Sequence, residues 1–252
     1  MIDTHAHIDS TLCDVSRVEG LKAVILSGAS LETSKNNLLL AKKYPRLYPA
    51  VGIHPQEIIT NYELQITNLS DLLAINENII AIGECGLEFL GNFDKEKQEK
   101  VFRKQIELAQ KYDKPLIIHA RKAMDETIQI LSEYKKLRGV IHCYSGGKKR
   151  VKKILETLEP PTQSSGEPKW YFGFDGNITY EVGLEEVVKS IPRDRILAET
   201  DSPLLTPEPF RGQENKPTYV KYVYQKIADI WRESFEESEK ILDANAKRLF
   251  QI

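Results

Sequence analysis

Ile2-Asp3-Thr4-His5-Ala6-His7, residues 2–7, has an apolar start followed by His-x-His and reads as a short β-strand, within residues 1–8, whose end carries two imidazoles. Side chains alternate faces along a strand, so His5 and His7 point the same way and can hold one ion from one side. Neutral imidazole is the commonest protein metal ligand, and two on a rigid strand make half a site. Alone, such a pair fits a packed histidine pair as well as a metal ligand. The stretches that follow decide between the two.

Seven more β-like stretches repeat the design, at residues 22–30, 47–54, 79–86, 115–121, 138–144, 170–176 and 195–201. Most are followed by helical periodicity, as with Val101, Phe102, Ile106 and Ala109. The strand-to-strand spacing, roughly 25–35 residues, suits one βα unit each. Eight such units in 252 residues predict an α/β fold, a (β/α)8 TIM-type barrel forming one domain over residues 1–252. A doubly wound open sheet is the alternative, and no Gly-rich nucleotide fingerprint supports it.

Outside the strands, Leu12 to Glu19 predicts a short helical turn. The Pro/Gly/Ser-rich segment 159–169 predicts an exposed connector at the bottom of the barrel, before strand seven. Lys216 to Trp231 and Glu236 to Phe250 predict two closing helices, with Ser234 and Glu237 as a capping box for the second.

Lys and Arg number 35 against 37 Asp and Glu, a formal net charge of −2. No overall basic surface advertises nucleic acid, so binding to an anionic polymer must come from a local patch or from bound cations. The densest basic run is Lys148-Lys149-Arg150-x-Lys152-Lys153, after strand six. It reads equally as a solvated face or a nucleic-acid track. No apolar run approaches membrane-spanning length, and no charged-then-apolar signal pattern opens the chain. Three cysteines, Cys13, Cys85 and Cys143, are too few and odd in number for a disulfide framework, which points to a reducing cytoplasm.

The remaining polar signal is concentrated at strand ends. His5 and His7 end strand one, His54 strand three, Glu84 strand four, His119 strand five, His142 strand six and Asp201 strand eight. Barrel active sites sit on that rim, where residues scattered in sequence converge. Four imidazoles and two carboxylates suit two divalent ions sharing a carboxylate. His5, His7 and Asp201 are assigned to one ion, His119 and His142 to the other, and Glu84 to the bridge. His54 is left for the substrate. Asp3 and Glu199, each two residues before a ligand, point into the barrel beneath the site as partners for the ligands. Cys85 and Cys143 point away towards the helices, as small core fillers.

The combination resembles the TatD family of metal-dependent deoxyribonucleases, within the amidohydrolase superfamily. The matching stretches are Asp3-Thr4-His5-Ala6-His7, Gly52-Ile53-His54-Pro55, Gly83-Glu84-Cys85-Gly86-Leu87, Ile118-His119-Ala120-Arg121, His142-Cys143-Tyr144-Ser145-Gly146 and Glu199-Thr200-Asp201-Ser202-Pro203. Arg211-Gly212, Asn215-x-Pro217 and Asn245-Ala246-x-x-Leu249-Phe250 extend the match to the end of the chain.

The resemblance implies a two-metal hydrolase of DNA phosphodiesters, a 3′→5′ exonuclease on single-stranded or frayed ends, and places His54 and Arg121 at the scissile phosphate. Asp201, beside the attacking water, is the expected proton acceptor, with Glu84 the other catalytic carboxylate. The four imidazoles favour Zn²⁺ or Mn²⁺, whereas phosphodiester chemistry often runs on Mg²⁺. Two departures stand out: Glu88-Phe89 where the family often has Asp before an aromatic, and Asp175 where a small residue is expected. Asp175 is read as a loop cap. A small-molecule amidohydrolase on the same barrel is the alternative, weakened by Glu84 standing where many such enzymes carry a carboxylated lysine.

Overall fold

The computed structural model describes residues 1–8, 18–159 and 169–252. Cys13, most of the turn expected over Leu12–Glu19 and most of the connector 159–169 lie outside those residues. The strands are β1 (Ile2–Ala6), β2 (Ala23–Leu26), β3 (Leu47–Val51), β4 (Ala81–Glu88), β5 (Leu116–Arg121), β6 (Gly139–Ile141), β7 (Trp170–Phe174) and β8 (Ile196–Ala198). The helices are α1 (Leu31–Lys43), α2 (Tyr62–Ile75), α3 (Lys95–Tyr112), α4 (Met124–Ser132), α5 (Lys148–Leu158), α6 (Leu184–Ser190), α7 (Val220–Trp231) and α8 (Phe235–Phe250). The strands join one sheet in sequence order, β1 to β8. A doubly wound sheet would break that order where its winding reverses. The fold class is the expected α/β one, the (β/α)8 barrel.

Two compact units make up the chain, Met1–Leu26 with His142–Ile252, and Ser27–Ile141. In the first, β1 pairs with β2 and β7 with β8, both in parallel. The segment after β8 bridges back to β1, Ala6 to Ser202. The carboxamide of Asn215 holds that segment, donating to the carbonyls of Thr200 (2.8 Å) and Leu204 (2.5 Å). Asn245 on α8 does the same below β8, donating to Arg193 (2.8 Å) and Ile196 (2.9 Å). The Tyr224 hydroxyl on α7 accepts the Ile2 N–H at 3.0 Å and meets Asp243 of α8 at 2.8 Å. Ser234 caps α8, accepting the Glu237 N–H at 3.1 Å, but the expected capping box is only half formed, since the Glu237 carboxylate accepts from Lys240 at 2.7 Å.

In the second unit β3 to β6 pair in parallel, with β4 buried along its whole length. Two buried glutamines on α3 act as peptide mimics, bonding backbone N–H and carbonyl groups near the ends of β3 and β4. Gln105 accepts the Ile53 N–H (2.8 Å) and donates to the Ile53 carbonyl (2.9 Å). Gln98 grips the Glu88 backbone in the same way, at 2.9 and 3.1 Å. These clamps fix the backbone beside His54 and at the end of β4. Among the described residues, no helix is long and apolar enough to cross a membrane.

Candidate metal centre

In the first unit the site is built on β1 and the stretch after β8. Asp3, fully buried, accepts the N–H of Thr200 (2.9 Å) and its hydroxyl (2.6 Å). Burial pushes the Asp3 carboxyl well above its usual range, against the opposing hydrogen bonds from Thr200 and the His5 N–H. Two backbone bonds complete the seam, Asp201 N–H to the His5 carbonyl (2.9 Å) and His7 N–H to the Ser202 carbonyl (2.8 Å). Asp201 adopts a left-handed φ of 54°, which Asp tolerates better than most residues.

The seam brings three donor atoms face to face. His5 Nε2 and His7 Nε2 are 3.1 Å apart. Asp201 Oδ1 lies 3.4 Å from the first and 3.5 Å from the second. Burial would raise the Asp201 carboxyl, but the His7 contact and the charges of His5 and His142 outweigh it and hold it below the usual range.

His142 follows β6 and stacks on His5, with centroids 4.1 Å apart and 9° between planes. Its Nδ1 lies 3.5 Å from Glu199 Oε1, which also accepts the Cys143 N–H at 2.6 Å. The other carboxylate oxygen of Glu199 is buried and has no hydrogen-bond partner among the described residues. Gly173 makes room for it, since a Cβ there would meet Oε2 at 2.3 Å. A buried carboxylate among imidazoles calls for a positive charge. His5, His142 and Glu199 offer ligand atoms all within 4.8 Å of one another.

Asp175 sits one residue past β7 and caps the 3₁₀ turn Gly176–Thr179, accepting the Asn177 N–H at 2.8 Å. The loop-capping expectation therefore describes its bonding, but not its environment. It is fully buried, and burial, aided by the charges of Glu199 and Asp201, pushes its carboxyl up to about 7. A raised carboxyl gives stability that is complete below the unfolded value, roughly 3.9, and lost as pH rises through 7. Asp175→Asn keeps the cap acceptor without the charge. In chelator-treated protein its melting temperature should exceed wild type at pH 8 and converge with it near pH 4. A gap independent of pH would contradict the buried charge.

Cys143 corrects an expectation. It does not follow strand alternation towards the helices, because β6 ends at Ile141 and Cys143 takes φ 46°. Its Sγ lies 3.9 Å from Asn177 Nδ2, and burial followed by the nearby Asp175 charge pushes its thiol upward. Cys85 is buried, and burial raises its thiol too.

The second unit carries its own cluster. Glu84, 4% exposed, places Oε1 2.9 Å from His119 Nδ1 and 3.5 Å from His54 Nε2. These three residues offer ligand atoms within 4.8 Å of one another. The other nitrogen of His54 is engaged, since Nδ1 accepts the Gln56 N–H at 3.2 Å. That bond puts the proton of the neutral ring on Nε2, making it a donor. β4 runs two residues beyond the expected end to Glu88, so Glu84 lies inside the strand. Buried Glu88 reaches His119 Nε2 at 3.3 Å and Arg121 Nη1 at 3.8 Å. Sequence reasoning left Glu88 open because its partners are set only by the β4–β5 register, Glu88 opposite Arg121. Arg121 itself is 60% exposed.

The basic run occupies the first turns of α5 with its charged side chains exposed. Lys148 is paired with Glu186 at 3.0 Å and Lys152 with Glu156 at 3.7 Å.

The donor set tests well for divalent ions. Ligands ~2.1 Å from an ion sit ~3.0 Å apart in an octahedral shell and ~3.4 Å apart in a tetrahedral one. The His5–His7–Asp201 triangle has edges of 3.1, 3.4 and 3.5 Å. A parallel barrel presenting imidazoles and carboxylates at its strand ends belongs among the metal-dependent hydrolases. Comparison with known proteins narrows this. The model of the family described as TatD related DNase matches residues 2–251, and the chain belongs to that family. An uncharacterized metal-dependent hydrolase, YabD of Bacillus subtilis, is 35% identical over 265 residues, covering 100% of this chain and 99% of the relative. The 3′-5′ ssDNA/RNA exonuclease TatD of Salmonella typhimurium is 29% identical over 245 residues, covering 92% and 89%. The crystal structure of YjjV, a TatD homologue from Escherichia coli, superposes with a TM-score of 0.88 at 27% identity, covering 100% of this chain and 98% of that one.

Proposed function

We propose that this protein hydrolyses phosphodiester bonds of DNA with two divalent ions, working 3′→5′ on single-stranded or frayed ends in the cytoplasm. The observation that carries the reading is the donor triangle of His5, His7 and Asp201, whose edges match those around a divalent ion. The proposed metal ligands are His5, His7, Glu84, His119, His142 and Asp201, and the ions are Mg²⁺, Mn²⁺ or Zn²⁺. When bound, they supply a water of lowered pKa and neutralise charge on the phosphoryl oxygens.

The side chains do the rest. Asp201, held in its charged form by its imidazole neighbours, accepts the proton of the attacking water. His54, with its proton placed on Nε2, donates to a phosphate oxygen. Arg121 offers a forked pair of donors to the same phosphate from its exposed position.

His54→Ala and Arg121→Ala should each leave metal content intact and weaken DNA hydrolysis by roughly 2–4 kcal/mol of transition-state binding. Metal analysis alongside kcat/KM checks the division of roles. Loss of an ion in either variant would move that residue to the ligand set.

A further inference from the structure

The loop that leaves β4, Phe89-Leu90-Gly91-Asn92-Phe93, turns apolar side chains outward beside exposed cations of the same unit. Leu90 is 47% exposed and Phe93 36%. Scattered exposed apolar residues need no explanation, but these are held in place. Buried Glu88 accepts the Leu90 N–H at 2.8 Å, and Phe89 N–H donates to the Arg121 carbonyl at 2.9 Å. The Phe93 ring lies over Gly91, where a Cβ would meet Cε2 at 2.8 Å and φ is 126°. Asp94 then caps α3, accepting the Lys97 N–H at 3.0 Å. Pinned at both ends, the loop presents its apolar groups by construction.

The surroundings say what covers them. Lys95 Nζ stands 4.4 Å from the Phe89 ring centroid, and Arg121 and Lys122 are exposed at the end of β5. Through its other oxygen, Glu88 joins the loop to His119 and Arg121. A purely apolar partner would not suit three cations, whereas a base stacked on Leu90 and Phe93 brings phosphates to them. We propose that Leu90 and Phe93 form a stacking platform for a base of a single-stranded nucleic acid, with Lys95, Arg121 and Lys122 taking its phosphates. The platform rests on the nuclease reading, and it favours single strands because a duplex hides its base faces.

The test is fluorescence anisotropy of labelled deoxythymidine oligonucleotides, intact and abasic, on metal-loaded protein, with cleavage followed in parallel. Wild type should bind the intact strand more tightly. Phe93→Ala should weaken that binding about 5- to 150-fold, the worth of one stacked base. It should leave the abasic strand within about twofold, and Phe93→Trp should restore affinity. Equal weakening for both strands, no weakening, or a change of sedimentation state that makes the loop a contact between copies would each overturn the platform. Absence of cleavage by wild type with the binding difference intact would instead defeat the nuclease reading alone.

Discussion

Glu84→Gln should lower DNA hydrolysis by about 10³-fold or more and cost the protein at least one bound ion. The amide keeps the size and one acceptor oxygen, so the contacts at 2.9 Å to His119 and 3.5 Å to His54 remain available. What disappears is the negative charge that would offset a dication beside this buried side chain. Circular dichroism should be unchanged, since no hydrophobic contact is lost. The drop therefore reads the ion and not the fold. A Glu84→Gln protein with full metal content and near-normal turnover would remove Glu84 from the ligand set.

Asp201→Asn should be nearly as severe, about 10²–10⁴-fold, because it removes the proposed proton acceptor and a proposed ligand charge together. Asparagine is the informative replacement. The backbone at Asp201 has a φ of 54°, which Asn adopts readily, and the seam bond from its N–H to the His5 carbonyl is untouched. An alanine there would confound loss of charge with backbone strain. Solvent-exchange kinetics and metal analysis on the same sample separate the two roles. If the ion stays and only turnover falls, Asp201 is chiefly a base. If both survive, neither role holds.

The fold was legible because buried parallel strands are apolar on both faces. All eight expected stretches overlap observed strands, although β1, with Asp3, Thr4 and His5, is not an apolar run. Their ends were less so. Glu88 reads as an exit from the strand, yet β4 keeps it buried, held through its backbone by Gln98. β6 stops after three residues, which removed the alternation on which the placement of Cys143 depended. The candidate histidines were visible because His54, His119 and His142 close apolar runs and His5 and His7 stand two residues apart on one strand. Their supports were only half visible. Asp3 was placed beneath the site by its spacing, but its clamp on Thr200, 197 residues away, exists only in the folded chain. The tautomer of His54 likewise depends on a turn that brings the Gln56 N–H onto its ring.

The most direct measurement follows single-stranded DNA labelled in turn at its 5′ and 3′ ends, incubated with purified protein and Mg²⁺, Mn²⁺ or Zn²⁺. A 3′→5′ exonuclease should give a 5′-labelled ladder that shortens stepwise, early release of the 3′ label as mononucleotide, and loss of both on chelation. Intact DNA under all three ions, with turnover of an amide or lactone by the same metal-loaded protein, would contradict the proposed activity.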